Sequence, residues 1–164
     1  MNSTDYVFEP MNDEQARAIA AWRYEPPYDF YDMARDPEGL EELSPPERRR
    51  GYYAVLRDGE LLGFFCYGQG GQLPGFAYPD DGKVDVGLGL RPDLTGKGLG
   101  YGFVMAGLDF GRRCFDPSGF RLFVATFNER AIRLYERAGF GRGEIFVHHT
   151  DGADHPFLLM TREA

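Results

Sequence analysis

The sequence predicts an α/β (α+β) domain with a mixed, mostly antiparallel central sheet of about six to seven strands flanked by helices. Three observations predict it. Apolar segments of period two alternate with segments of helical period along the chain. Asp58-Gly59 separates two apolar runs, the strongest short-range signal for a hairpin. Farther on, a strand feeds through a glycine-rich turn into an amphipathic helix and then another strand, the pattern of a strand–helix–strand crossover. With 164 residues, 43% of them hydrophobic and 15% aromatic, the chain supplies one core and reads as a single domain over residues 1–164.

The first strand is short, Tyr6-Val7-Phe8. Asn12-Asp13 can cap a helix whose apolar stripe runs through Ala16, Ile19, Ala20 and Trp22 and which Pro26-Pro27 stops. Tyr28 to Met33 is aromatic without a clean period and reads as a short helix lining a pocket or a turn filling the core. The hairpin pairs Tyr52–Arg57 with Leu61–Tyr67. Residues Gly68 to Gly82, rich in Gly, Pro and Asp, form a long loop. A strand follows from Lys83 to Leu90, then a helix from Leu99 to about Cys114 with Leu99, Phe103, Ala106 and Phe110 on one face. A strand over Arg121–Thr126 leads to a second helix, Glu129–Ala138, stopped by Gly139. Two strands, Phe140–His149 and Pro156–Thr161, joined at Asp151-Gly152, close the chain.

The formal charge of −8 argues against nucleic acid as a partner, because that binding depends on clustered cations. The one dense basic run, Arg48-Arg49-Arg50 after Pro45-Pro46, reads as a solvated loop. An acidic surface favours a cationic or amine-bearing substrate. The N-terminus lacks the basic and apolar regions of a signal peptide, and no apolar run approaches the ~18 residues of a membrane helix. Cys66 and Cys114 therefore read as reduced core thiols of a cytoplasmic protein that does not engage membranes. His148, His149 and His155 show no zinc-ligand spacing, so no metal is assigned.

The chemistry concentrates between Val84 and Gly100. Alternation puts Val84, Val86, Leu88 and Leu90 on one face of their strand and Asp85, Gly87 and Gly89 on the other. Glycines there mark a bulge or the close approach of a ligand. Thr95-Gly96-Lys97-Gly98 then turns into a helix N-terminus, where unpaired amides and the helix dipole suit a pyrophosphate. The dinucleotide pattern Gly-x-Gly-x-x-Gly fails, since its third place falls on Tyr101 or Phe103. The P-loop pattern fails at Arg91 and at Gly98.

These residues resemble the GCN5-related N-acetyltransferase (GNAT) superfamily. Its phosphate loop, Arg/Gln-x-x-Gly-x-Gly/Ala, is matched by Thr95-Gly96-Lys97-Gly98-Leu99-Gly100 at both glycines and departed from at Thr95. The lead-in from Asp85 to Pro92 looks like the family's fourth strand. Asn128 to Phe140 resembles its Asn-x-x-Ala-x-x-Leu-Tyr-x-x-x-Gly-Phe block. The resemblance implies the GNAT fold and transfer of an acetyl group from acetyl-CoA to a primary amine by direct attack. It implies that acetyl-CoA lies where the fourth and fifth strands part, with its pantetheine paired to the backbone of Leu88 and Leu90. The loop Thr95, Gly96, Lys97, Gly98, Leu99 and Gly100 takes the pyrophosphate, and Asn128 adds a hydrogen bond to the cofactor beside its capping role.

By the same resemblance, Tyr135 protonates the departing sulfur. Asp85 stands where many members carry a glutamate and is the candidate acceptor of the amine proton, directly or more readily through a water, and it reads equally as a solvated or salt-bridged carboxylate. The pocket for a small-molecule or peptide amine is expected from the Trp22 to Met33 segment, the loop before Lys83 and the strands near Phe146 and His148, with Tyr28, Phe30 and Tyr31 as candidate walls. Each aromatic reads equally as core. The alternative function is a non-catalytic acyl-CoA-binding sensor or regulatory module, with a nucleotide-dependent enzyme weaker still. The sequence leaves the identity of the amine open, and an exposed strand edge would allow a homodimer.

Overall fold

A computed structural model describes residues 6–33, 46–150 and 152–164, so Pro45 and Asp151 of the sequence reading lie outside the described residues. One seven-stranded sheet runs in the order β1-β2-β3-β4-β5-β7-β6, built from β1 (Val7–Pro10), β2 (Tyr52–Arg57), β3 (Glu60–Tyr67), β4 (Lys83–Leu90), β5 (Gly119–Ala125), β6 (Gly141–Thr150) and β7 (Ala153–Glu163). All neighbours are antiparallel except β4 and β5. That parallel pair is joined by the crossover helix α2 (Gly100–Phe115), as a parallel connection requires. Helix α1 is Asp13–Ala20 and α3 is Glu129–Arg137.

Local signals explain the boundaries. Asn12 and Gln15 form a reciprocal capping box at the start of α1. Asp58 and Gly59 take φ of 53° and 78°, the left-handed pair that a tight two-residue hairpin demands. Gly139 ends α3 at φ 96°. The segment after α1 forms a single 3-10 turn, Tyr28–Tyr31.

Two apolar clusters sandwich the sheet. Helices α2 and α3 cover one face through Phe65, Val86, Phe103, Leu108, Phe120, Ile132 and Tyr135. Helix α1 covers the other through Met11, Ile19, Tyr52, Phe64 and Cys66. Gly87 and Gly89 belong to this second face. A Cβ on Gly87 would sit 2.6 Å from Cys66 Sγ, and one on Gly89 would overlap the Phe64 ring. The β3–β4 register is unbroken, so these glycines mark no bulge; they give room to side chains of β3 and also line a cavity beside β4.

Two further expectations are corrected. Arg49, in the middle of the arginine run, is buried and pairs with Asp13 at the start of α1, so that run is not wholly solvated. Cys66 is buried as expected, but Cys114 is exposed near the end of α2 and is not a core thiol. No helix among the described residues is long and apolar enough to cross a membrane.

Where α2 meets the sheet, a Cβ on Gly107 would overlap the fully buried Phe65 ring. Alanine there gains about 1 kcal/mol of helix propensity, which the overlap outweighs. Gly107→Ala is expected to lower unfolding free energy in urea by about 2 kcal/mol net; an unchanged midpoint would contradict this packing.

Candidate functional site

β4 and β5 are in register only at Lys83↔Gly119, Val84↔Phe120 and Asp85↔Arg121. Beyond these pairs β4 continues against β3 as far as Leu90, and β5 continues against β7 as far as Ala125. The strands therefore part, and a cleft opens between them. The carbonyl of Asp85 accepts from Gly68 N and Arg91 N donates to Leu62 O, so odd-numbered residues of β4 turn their main-chain groups to the β3 side. Alternation turns those of Leu88 and Leu90 toward the cleft. The Leu90 carbonyl already accepts from the Tyr24 hydroxyl at 2.8 Å, which straps the segment after α1 to the end of β4.

The structure does not bring Asp85 to the cleft. Its side chain is 6% exposed and accepts from Arg121 Nε at 2.6 Å. Gln72 Nε2 donates to its other oxygen at 2.8 Å. Arg121 also reaches Asp81 at 3.2 Å and lies 5.1 Å from the Tyr78 ring centroid. Burial opposes the Arg121 charge, but the hydrogen bonds and charges of Asp85 and Asp81 outweigh it and raise its pKa. The Lys83 amide, and then the charges of Arg121 and Lys83, hold Asp81 below the usual carboxylate range against a small desolvation effect. The residue expected to accept a proton is thus held by a buried arginine and by Gln72 at the point where the strands part.

At one end of the cleft lies the glycine loop. Pro92–Leu94 makes a 3-10 turn, closed by the Thr95 hydroxyl donating to Pro92 O at 2.8 Å. Gly96 and Gly98 take φ of 72° and 77°, which side chains rarely adopt, and α2 begins at Gly100 with no side-chain cap and no acidic residue in its first turn. Its leading amides and the positive dipole end are therefore presented to an anion. Gly96, Gly98 and Gly100 line a cavity of about 600 Å³ with Arg130, Arg133 and Arg137 of α3. Lys97 and Leu99 do not line it. The arginines went unrecognised in the sequence, where the only signal was their spacing of three and then four on one helix.

A second cavity of about 310 Å³ adjoins the first, sharing Tyr28, Leu88, Leu90, Thr95, Asn128 and Arg130 with it. Trp22, Tyr24, Tyr28, Tyr31, Phe64, Phe123 and Tyr135 surround it. Trp22 and Tyr24 fall within the Trp22 to Met33 segment expected to wall the pocket, whereas Phe64 and Phe123 come from strands that nothing in the sequence places there. Asn128 Oδ1 caps α3 through Ala131 N at 3.2 Å, and its Nδ2 donates to the Tyr31 hydroxyl at 3.2 Å. Burial, and secondarily the neighbouring Tyr31, push the Tyr135 phenol well above the ordinary tyrosine range, so it stays a proton donor. Burial likewise raises Tyr31, opposed by its hydrogen bond with Asn128.

Phe30 lines neither cavity. It packs behind the wall against Phe127 and His155, with centroids at 5.6 and 5.0 Å. A 3-10 turn repeats every three residues, so Tyr28 and Tyr31 share the cleft side while Phe30 turns away. Phe146 also lies outside the lining. It meets Phe76 of the preceding loop, and Phe76 in turn packs on Phe123.

Removing Asp85 leaves Arg121 buried with only its longer contact to Asp81. Asp85→Ala is expected to cost about 3 kcal/mol of stability in denaturant titration, and the double variant Asp85→Ala/Arg121→Leu less than that. Equal losses in the two proteins would contradict the pairing.

The sequence model of the acetyltransferase (GNAT) family matches residues 11–140. The mycothiol acetyltransferase of Thermobispora bispora is 33% identical over 148 residues, which cover 86% of this chain and 47% of that protein. The mycothiol acetyltransferase of Streptomyces coelicolor is 36% identical over 104 residues, covering 62% of this chain and 28% of the relative. The chain thus spans less than half the length of these curated relatives. Among solved structures, AAC(6')-Ib in complex with paromomycin and acetyl-CoA superposes with a TM-score of 0.75 at 21% identity, covering 97% of this chain and 93% of the other. An aminoglycoside N(6')-acetyltransferase from Legionella pneumophila gives 0.71 at 19% identity, covering 97% and 92%. At such identities these structures share the fold.

Proposed function

Because the chain belongs to the GNAT family of acetyltransferases, we propose that its cleft binds acetyl-CoA and transfers the acetyl group to an amine. The observation that carries the reading is the continuity of the two cavities, one at the uncapped start of α2 and the other reaching Tyr135. The fit is chemical as well as spatial. Gly96 and Gly98 let phosphate oxygens approach main-chain amides, and Arg130, Arg133 and Arg137 supply the countercharge. The main chain of Leu88 faces the cleft and offers an extended chain the hydrogen bonds of an added strand. Asn128 holds the first turn of α3, and with it Tyr135, in place.

In the transfer the amine lone pair forms a bond to the thioester carbonyl carbon, and the C–S bond breaks with its electrons on sulfur. The Tyr135 phenol donates to that sulfur, and the proton released by the nitrogen restores the balance. The Leu88 amide is placed to donate to the carbonyl oxygen as charge develops there. Asp85 positions the strands and takes no part in moving the proton, because Arg121 and Gln72 occupy its oxygens.

A second reading has one observation in its favour. Among the described residues no carboxylate lines the acceptor cavity, as suits a module that binds acyl-CoA without turning it over. Thiol release from acetyl-CoA in the presence of an amine panel separates the two, since binding with no release for any amine selects the second.

Tyr135→Phe is expected to lower kcat about 100-fold while leaving acetyl-CoA affinity unchanged. Because the phenol pKa is raised, the donor form persists as pH rises. The wild-type rate should hold through about pH 10, where an ordinary phenol is half ionised. A fall in kcat centred near pH 10 that Tyr135→Phe abolishes would contradict the buried, protonated donor.

A further inference from the structure

The two ends of the cleft differ in character. The cofactor end carries Arg130, Arg133 and Arg137. At the other end the walls are Trp22, Tyr24, Tyr31, Met33, Phe64 and Phe123, with neither Asp nor Glu among the described lining residues. The one formal charge there is Arg130, whose guanidinium lies 4.2 Å from the Tyr28 ring centroid and also lines the cofactor end.

The polar side chains of this cavity are largely committed within the protein. The Tyr24 hydroxyl donates to Leu90 O at 2.8 Å and the Thr95 hydroxyl to Pro92 O at 2.8 Å. Asn128 uses its oxygen on Ala131 N and its nitrogen on Tyr31, each at 3.2 Å. Asp32 is buried near this wall, and one of its oxygens accepts from Tyr24 N at 2.8 Å. A polycation entering here would desolvate several charges with no lining counter-ion to receive them. A single ammonium meets aromatic faces that tolerate it. Desolvation then favours its neutral form, the one whose lone pair can attack. The acidic balance of the whole chain, −8, therefore does not describe its acceptor site.

We propose that the acceptor is a primary monoamine with an aryl or similarly bulky apolar body and no second charge. The inference rests on the acetyltransferase reading and narrows it. The rings supply the contact area, and the apolar body of the amine lies against Trp22 and Phe123 with its nitrogen directed past Tyr135. Phe76 packs behind Phe123 at 5.0 Å, and the wall residues Trp22 and Phe64 lie 6.4 Å apart, centroid to centroid.

The test uses the full chain, acetyl-CoA, and 2-phenylethylamine and tryptamine set against spermidine and kanamycin, with initial rates read as thiol release. The aryl amines are expected to exceed spermidine by about 100-fold in kcat/KM, the range that an apolar pocket commands. Trp22→Ala should raise KM for 2-phenylethylamine about tenfold with acetyl-CoA affinity, measured calorimetrically, unchanged. Preference for spermidine or kanamycin would overturn this inference and leave the acetyltransferase reading standing. Binding of acetyl-CoA with no release for any of the four amines would overturn both.

Discussion

The buried pairing of Asp85 with Arg121 is the constraint on which the rest of the site depends. It occupies the last register position shared by β4 and β5, with side chains 6% and 4% exposed. Taking two charges out of water costs several kcal/mol each. Here a 2.6 Å contact offsets that cost, with Asp81 and Gln72 binding the remaining groups. One residue farther along, each strand follows its own outer neighbour and the sheet divides. Had the parallel register continued, main-chain hydrogen bonds would have filled the space that the two cavities occupy.

Once the strands part, the geometry of each element supplies one portion of the cleft. Alternation aims Leu88 at the gap while Gly87 and Gly89 give room to Cys66 and Phe64 on the α1 face. The crossover helix begins at the mouth of the opening with uncapped amides. Helix α3 contributes arginines on the flank and Tyr135 on the buried side, so one nine-residue helix borders both cavities. The Arg130–Tyr28 stack joins the two ends, tying the flank of the larger cavity to the 3-10 turn beside the smaller one.

Features governed by local chemistry were legible in the sequence. The Asp58-Gly59 turn, the Asn12 and Asn128 caps, the stop at Gly139 and the glycine loop each depend on a few adjacent residues. Tyr135, Asn128, Tyr28 and Tyr31 were legible as cleft residues for similar reasons, through a motif or an aromatic cluster. What was missed depends on partners distant along the chain. Asp85 meets Arg121 across 36 positions, and nothing in its own strand distinguishes a paired carboxylate from an available one. Arg49 is buried and pairs with Asp13, also 36 positions away, though its neighbours in sequence suggest a solvated run. The strand glycines do border a cavity, but the side chains of β3 that also need their space, Cys66 and Phe64, belong to another strand and leave no mark in β4.

Whether the glycine loop and the start of α2 hold an anionic acyl-CoA is read by calorimetry of acetyl-CoA binding to the wild type and to Gly98→Glu. Gly98 has no heavy atom within 4 Å of a built Cβ, so the substitution meets open space and its backbone strain is about 1–2 kcal/mol, small enough to leave the protein folded. Binding to the wild type and its loss in the variant are expected, with circular dichroism the same for both. Equal binding by the two proteins would contradict the assignment of the loop, and no binding by folded wild type would contradict the cofactor itself.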